Sequence, residues 1–391
     1  MSGRLRLAAT GVQDQWLTGD PQFSYFLMNF RRHTKFAIDH VESQFDGDRT
    51  FGKILECRVP NDKGDLIRNF TLKVTLDDPK PDTLGNNRYW SPSIISHLIE
   101  YAELVIGGQT IERITGEYIY MHQQLYNTDD DVKQTLYFLN GHGGTTLVYD
   151  GEYNYFLELP FYFYRNPTLA IPTCALTKQL VEVRIKTRPF SELVFGGAPA
   201  GVTASIKNIS LDTEFIFLTN NEINFLRSRP IDYVITQLQM SQFVMKVGEN
   251  KKSVMLNFSH PVKELYFVSQ SEEAVRDNDP HYYNEIKNVQ LRFNNEIVFD
   301  RNTKFLNYEQ ALKHHVNAPS AADTAKFAMY SFSLKPEMYY PTGQVNMSRI
   351  SHKLLTIEIE PVNDVDNNNT RVYALNYNVL RVESGLAGLK F

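Results

Sequence analysis

The stretches Leu104-Val105-Ile106-Gly107-Gly108-Gln109-Thr110-Ile111 and Leu291-Arg292-Phe293-Asn294-Asn295-Glu296-Ile297-Val298 spell the same small structure twice. In each, an alternating strand runs into Gly-Gly or Asn-Asn, residues that tolerate the positive φ needed at both centres of a type I′ turn, and alternation then resumes. Each position of the second copy lies 187 residues (291 − 104) after its counterpart. A second correspondence follows in the same order. Pro167, Pro172 and Thr173 match Pro336, Pro341 and Thr342 at a spacing of 169 (336 − 167). The difference of 18 (187 − 169) is then extra loop in the first copy, between its hairpin and its proline segment. A duplicated β domain with insertions confined to loops accounts for both spacings.

Composition admits that architecture and excludes others. A chain of 391 residues is long enough for two all-β cores of about 180–200 residues each. Cys57 and Cys174 are the only cysteines, which argues against a disulfide framework and fits a reducing compartment. Aromatic residues make up 13% of the chain, with 25 Phe and 22 Tyr, a bias suited to pleated surfaces and large interfaces. The net charge of −5 carries no global basic footprint for wrapping nucleic acid. No apolar run approaches the roughly 18–20 residues of a membrane span. Met1 to Pro21 lacks the apolar core of a signal peptide, so the expectation is a soluble, cytosolic chain.

Along the chain, residues 1–22 read as a polar, Gly-punctuated arm carrying Arg4, Arg6 and the apolar pair Trp16-Leu17. Strand-like runs follow at Phe23 to Phe30, Lys35 to Phe45, Gly52 to Val59, Ile67 to Leu76, Tyr101 to Ile106 and Thr110 to Ile114. Glu117 to Tyr126 reads as a short helix and Gly141-His142-Gly143-Gly144 as an open loop. The β pattern returns at Tyr153 to Tyr164, at Val181, Val183 and Ile185, and at Ile209 to Leu218. Residues 219–232 are the best boundary, with Asn220-Asn221-Glu222 capping a short helix that Pro230 ends. The second block gives strands at Tyr233 to Val247, Ser253 to Phe258, Lys263 to Val268, Val289 to Phe293, Ile297 to Phe299, Lys326 to Leu334, Leu355 to Ile359 and Val372 to Val382. Period-2 patterning with one wet face marks antiparallel sandwich strands. The expected organisation is an arm over 1–22, a first β domain over 23–218, a helical linker over 219–232 and a second β domain over 233–391.

Catalytic chemistry is marked by absences. There is no His-Glu-x-x-His helix, P-loop or Gly-x-Ser-x-Gly elbow. His314-His315 reads as a solvated loop or helix end, and the two cysteines as buried hydrophobes. Gly107-Gly108 and Gly196-Gly197 read as turns, and Asp129-Asp130-Asp131 as a solvent-facing run. The five Asn-x-Ser/Thr sequons, at Asn69, Asn208, Asn257, Asn346 and Asn368, would matter only in a secreted chain. Arg31-Arg32-His33-Thr34-Lys35 is the one dense basic cluster, open both to an acidic partner and to plain surface pairing. The reading is therefore of a chain that is no enzyme and needs no metal or cofactor.

Several stretches stand out together: Gly11 to Gln22 with Tyr25-Phe26 and Arg31 to Ala37; Ile106 to Ile111; Leu159-Pro160-Phe161-Tyr162-Phe163; Asn166-Pro167 with Leu169 to Pro172; and Leu375 to Arg381 with Ser384 to Leu389. In this order they resemble the motifs of a known family, the major capsid proteins of nucleocytoplasmic large DNA viruses. The chain departs from that family in being shorter than many members and in carrying Asp232 before Tyr233 where a histidine is common. The resemblance implies two tandem eight-stranded antiparallel jelly rolls and a homotrimeric, pseudo-hexagonal capsomer tiling an icosahedral shell. Implied partners are neighbouring capsomers, minor capsid and penton proteins and the internal viral membrane, with no direct nucleic acid, in a virion assembled in the host cytoplasm. Trp16, Leu17, Arg31, Arg32 and His33 are the candidate assembly contacts. The competing readings are a minor or scaffold double jelly-roll protein of the same virus type and a carbohydrate-binding jelly roll using Tyr282-Tyr283 or Tyr339-Tyr340. A cupin-type enzyme would need clustered metal ligands that this sequence does not assemble.

Overall fold

In the computed structural model, residues 2–28, 30–79, 88–126, 135, 138–141, 148–149, 152–195, 204–272, 282–316, 327–360 and 366–391 are described. They form two compact units, residues 1–36 and 37–391. The larger unit is almost wholly β. Its first half contains β1 (Ala37–Gln44), β2 (Ile54–Val59), β3 (Leu66–Leu76), β4 (Tyr89–Trp90), β5 (Ile99–Ile106), β6 (Gln109–Thr115), β7 (Val148–Tyr149), β8 (Glu152–Glu158), β9 (Val181–Thr187), β10 (Val194–Phe195) and β11 (Ile206–Phe217). The second half contains β12 (Ile231–Met245), β13 (Lys251–Met255), β14 (Pro261–Ser271), β15 (Ile286–Phe293), β16 (Glu296–Asn302), β17 (Ala328–Ser331), β18 (Val345–Asn346), β19 (Lys353–Ile359), β20 (Asn368–Glu383) and β21 (Leu386–Leu389).

Sheet order makes the duplication explicit. In the first half β1-β11-β3-β8 (extended by β7) faces β2-β9-β5-β6; in the second, β12-β20-β14-β17 faces β13-β19-β15-β16. Counting only the eight principal strands of each half, both read 1-8-3-6 against 2-7-4-5, the strand order of a jelly roll. The fold is two tandem jelly rolls. The two hairpins turn as their sequences predict, with φ of 59° and 82° at Gly107-Gly108 and 48° and 73° at Asn294-Asn295. Irregularities repeat too. A bulge follows Leu104 in β5 and its counterpart Leu291 in β15. Another leaves Arg68 of β3 unpaired against β11 and Lys263 of β14 unpaired against β20.

Alternation builds the first core. In β9, Val181, Val183 and Ile185 are fully buried, while Glu182, Arg184 and Lys186 line the wet face and pair with Arg58, Glu56 and Glu100. Phe70 of β3 is fully buried against the edges of Phe161 and Phe163 at 6.3 and 5.4 Å between centroids. Burying one such ring contributes about 1.5–3 kcal/mol. The linker helix Asn220–Ser228 begins in a capping box between Thr219 and Glu222. Arg227 ties it to the first roll by donating to the Cys174 carbonyl at 2.8 Å.

Three expectations need correction. No strand runs through Phe23 to Phe30 among the described residues; the described side chains there are exposed, and the first strand begins at Ala37. The consecutive apolar run Tyr25-Phe26-Leu27-Met28 has no alternation to present to a sheet. The arm carries helices at Ser2–Ala8 and Gln15–Thr18 with no buried residue. The strand at Tyr153 stops at Glu158, because Pro160 cannot donate to a ladder and the following residues turn. His315 is not solvated; its side chain is fully buried between two carboxylates. Both cysteines are buried as expected. Asp129-Asp130-Asp131, His142-Gly143-Gly144 and Gly196-Gly197 lie outside the described residues.

Candidate functional site

The seam between the two rolls fixes how they sit against each other. Strands β14 and β20 are buried along nearly their whole length, without a wet face. Leu265, Phe267, Val372 and Ala374 point into the second roll's own core. Tyr266, Val268, Tyr373 and Leu375, on the opposite face, belong to the cluster that is continuous with the first roll's core. One sheet thus serves both rolls as a shared wall.

The seam is polar where the walls meet. The helix Gly116–Leu125 follows β6 in the first roll, capped by Thr115 accepting from the Tyr118 amide at 3.2 Å. Glu117 in its first turn takes two hydrogen bonds of 2.7 Å from Arg371 of β20, and Tyr373 donates to the same carboxylate. Burial pushes the Glu117 carboxyl up, but the Arg371 charge outweighs it and holds the group below its usual range. Farther along, His315 bridges Glu264 at 2.7 Å and Glu337 at 3.0 Å. Tyr126 and Tyr266 donate to the other Glu264 oxygen at 3.1 and 3.0 Å. Burial opposes protonation of His315, yet the two carboxylates raise it to about 9. Burial likewise works against Glu264, and His315 overcomes it, so Glu264 stays ionised below the usual range. Lys263 is buried and lowered by desolvation, and donates to the Pro336 carbonyl at 2.8 Å.

Glu112 of β6 is the odd member. It accepts from the Tyr162 amide at 2.8 Å, and burial raises it to about 8, so it is mainly neutral near pH 7. His97 and His122 are held at about 3 by burial, neutral across the physiological range. A cavity of about 600 Å³ opens in the seam between Glu100, Tyr101 and Arg113 of the first roll and Met240, Gln242 and Tyr283 of the second. None of this assembles a nucleophile with a base. Among the described residues no group of three His, Cys, Asp or Glu side chains is placed to hold a metal. Burial also drives the Cys57 and Cys174 thiols up to about 12 and about 11, away from nucleophilic reactivity. The arrangement is built to hold two rolls in one fixed relation.

The candidate contact residues all belong to the smaller unit, residues 1–36. Trp16 and Leu17, on the helix Gln15–Thr18, are 90% and 87% exposed. Arg31, Arg32 and His33 lie exposed, outside any helix or strand, in the segment before β1, with His33 Nδ1 2.7 Å from the Thr34 carbonyl. Of the two aromatic pairs, Tyr283 is buried against the seam, whereas Tyr339 and Tyr340 are 61% and 46% exposed and meet edge to face at 5.1 Å. No described helix is long and apolar enough to cross a membrane. The seam residues Glu117, Glu264, His315 and Arg371 were missed by sequence reasoning, because their partners lie far apart in the chain.

Comparison with known proteins accords with this geometry. A family profile described as major capsid protein N-terminus matches residues 24–219, and one described as large eukaryotic DNA virus major capsid protein matches residues 222–388. The chain is 31% identical over 420 residues to the major capsid protein of Pyramimonas orientalis virus, covering 100% of this chain and 99% of that protein. It is 26% identical over 450 residues to the major capsid protein of Paramecium bursaria Chlorella virus 1, covering 100% of both. Among solved structures, PBCV-1 VP54 superposes with a TM-score of 0.79 at 22% identity, over 94% of this chain and 100% of that one. The Faustovirus major capsid protein gives 0.76 at 11% identity, over 96% and 94%. These are structural capsid proteins rather than members of an enzyme family, and the likeness of fold extends across both rolls. The chain belongs to the major capsid protein family of large eukaryotic DNA viruses and is a component of the virion capsid.

Proposed function

We propose that the chain assembles as a homotrimer whose six jelly rolls form a pseudo-hexagonal tile of an icosahedral shell. The observation that carries this reading is the fused pair of rolls with one strand order, locked by the Glu117–Arg371 and Tyr126–Glu264 contacts. A chain so built presents two similar wedges, and three copies closed about a three-fold axis repeat the wedge six times. The proposed division is an arm over 1–22, a first roll over 23–218 whose strands begin at Ala37, a linker over 219–232 and a second roll over 233–391. Function is mechanical and calls for no cofactor. Laterally the tile meets neighbouring capsomers and penton proteins; at its base it meets minor capsid proteins and the internal viral membrane. Trp16, Leu17, Arg31, Arg32 and His33 supply assembly contacts there, and their exposure supports that role. Synthesis and assembly take place in the host cytoplasm. With a net charge of −5, the chain makes no direct contact with nucleic acid.

Negative-stain imaging of the purified chain tests the reading. Six-lobed particles of hexagonal outline are expected; two-lobed particles alone, at micromolar concentration and with the fold intact, would refute it.

A further inference from the structure

The seam inside one chain is a template for a second seam that the chain cannot complete alone. Within the chain, the helix after β6 of the first roll meets the outer face of β12-β20-β14-β17 of the second. Both halves of that arrangement have counterparts left open. The helix after β16 starts at residue 303, in register with the helix starting at Gly116. Its cap is also in register, since Asn302 accepts from the Phe305 amide at 3.3 Å as Thr115 does from Tyr118 at 3.2 Å. Lys304 therefore stands, exposed, where the first roll has Glu117. Beside it lies an apolar patch. Leu312, Val316, Leu334 and Tyr339 are 71%, 58%, 76% and 61% exposed, and the Val316 amide donating to Glu337 at 2.9 Å joins the helix end to the loop that carries the last two.

The receiving face is matched in the same way. The bulges at Arg68 and Lys263 fix the register of β3 on β14, so Thr71 and Lys73 take the places of Tyr266 and Val268. Across the ladder, Asp212 pairs with Thr71 as Tyr373 pairs with Tyr266. Tyr373 is one of the two residues that hold Glu117, so Asp212 lies where a group seated like Glu117 would arrive. The signs are exchanged. Inside the chain an acid on the helix meets a base on the sheet; here a base on the helix faces Asp212, with Glu42 next to it on β1. Asp212 and Glu42 already share Lys73, at 2.8 and 3.5 Å, and His40 Nδ1 lies 3.8 Å from Asp212, so the two carboxylates have one lysine and an imidazole between them.

We propose that the second roll's helix and loop dock onto the outer β1-β11-β3-β8 face of another copy of this chain, with Lys304 reaching the Asp212–Glu42 pair. The contact is head-to-tail, so it closes only as a ring. It rests on the trimeric reading and gives that reading an address.

The test is charge exchange in the full chain, read by sedimentation and by melting. Lys304→Glu raises the trimer–monomer midpoint concentration by about tenfold or more without lowering the melting temperature of the monomer, and Asp212→Lys does the same. Lys304→Glu combined with Asp212→Lys restores the wild-type midpoint. Leu334→Asp, on an exposed residue, weakens the trimer as well and stands in if Asp212→Lys folds poorly. A trimer indifferent to Lys304→Glu and Leu334→Asp overturns this interface while leaving the trimeric reading intact. Single reversals that weaken the trimer but are not rescued by the exchange overturn the pairing. A wild-type chain that never leaves the monomer overturns both.

Discussion

Glu117 in the first roll and Arg371 in the second are joined by two parallel hydrogen bonds of 2.7 Å, across 254 residues of sequence. Both side chains are mostly buried, 11% and 14% exposed. Burying a charge is costly, and the pair holds because each group neutralises the other. Removing either partner leaves the other uncompensated. Arg371→Ala or Glu117→Ala should therefore destabilise the chain by about 3–5 kcal/mol. Replacing both with apolar residues of similar size should cost much less. Denaturant unfolding of the two single variants and the double variant measures the difference.

The His315 cluster sets an alkaline limit. Its folded pKa of about 9 lies above the ordinary 6.5, so its contribution is complete below pH 6.5 and is lost as pH rises through 9. Glu264, held low, contributes above its ordinary 4.5 and loses that contribution as acid protonates it in the fold. Melting temperature should fall between pH 6.5 and 9.5. His315→Gln should lower it at pH 6 and flatten that decline, while His314→Gln, on a half-buried neighbour outside the carboxylate cluster, should change neither.

Glu112 titrates in the opposite sense to an ordinary surface carboxylate. Its folded pKa of about 8 against an ordinary 4.5 means that the fold favours the neutral acid, and stability erodes as pH climbs from 4.5 to 8. Glu112→Gln keeps an acceptor for the Tyr162 amide and removes the titration. The variant should gain on the wild type by at most roughly 1.4 kcal/mol per pH unit across that window and hold the advantage above it. Equal melting temperatures for the two proteins at pH 5 and pH 9 would contradict the assignment.

Phe70 anchors the first core from β3, between Phe161 and Phe163. Phe70→Ala should cost about 3–5 kcal/mol, as large aromatic truncations in cores do. Differential scanning calorimetry reads it.

The arm makes a separable contribution. Ser2–Ala8 and Gln15–Thr18 bury none of their residues, and holding such a segment in place costs of order 1–2 kcal/mol per residue that a partner must offset. Deleting residues 1–18 should leave melting and trimer mass nearly unchanged but reduce shell assembly or recruitment of minor capsid proteins. Trp16→Ala should give a milder defect. Unfolding of the deleted trimer, or normal assembly, would each deny the arm this role.

The two hairpins were legible because a type I′ turn demands residues that accept positive φ, and Gly107-Gly108 and Asn294-Asn295 supply them locally. The alternation in β9 and β19 was legible for the same local reason. The seam was not. Tyr126 and Glu264 are 138 residues apart and Glu117 and Arg371 farther still, so no spacing rule connects them. The one available signal was the lack of a polar face in Val262-Lys263-Glu264-Leu265-Tyr266-Phe267-Val268, the mark of a strand covered on both sides. The run Phe23 to Phe30 misled in the other direction, since β-prone residues form no strand without a neighbour to pair with.

The central claim is that two fused rolls make one-third of a closed tile, and native mass under conditions that preserve the fold tests it most directly. The account predicts a single species at three times the 45.1 kDa chain mass at micromolar concentration. A species at the mass of one chain, or an open series of larger oligomers with no preference for three, would contradict it.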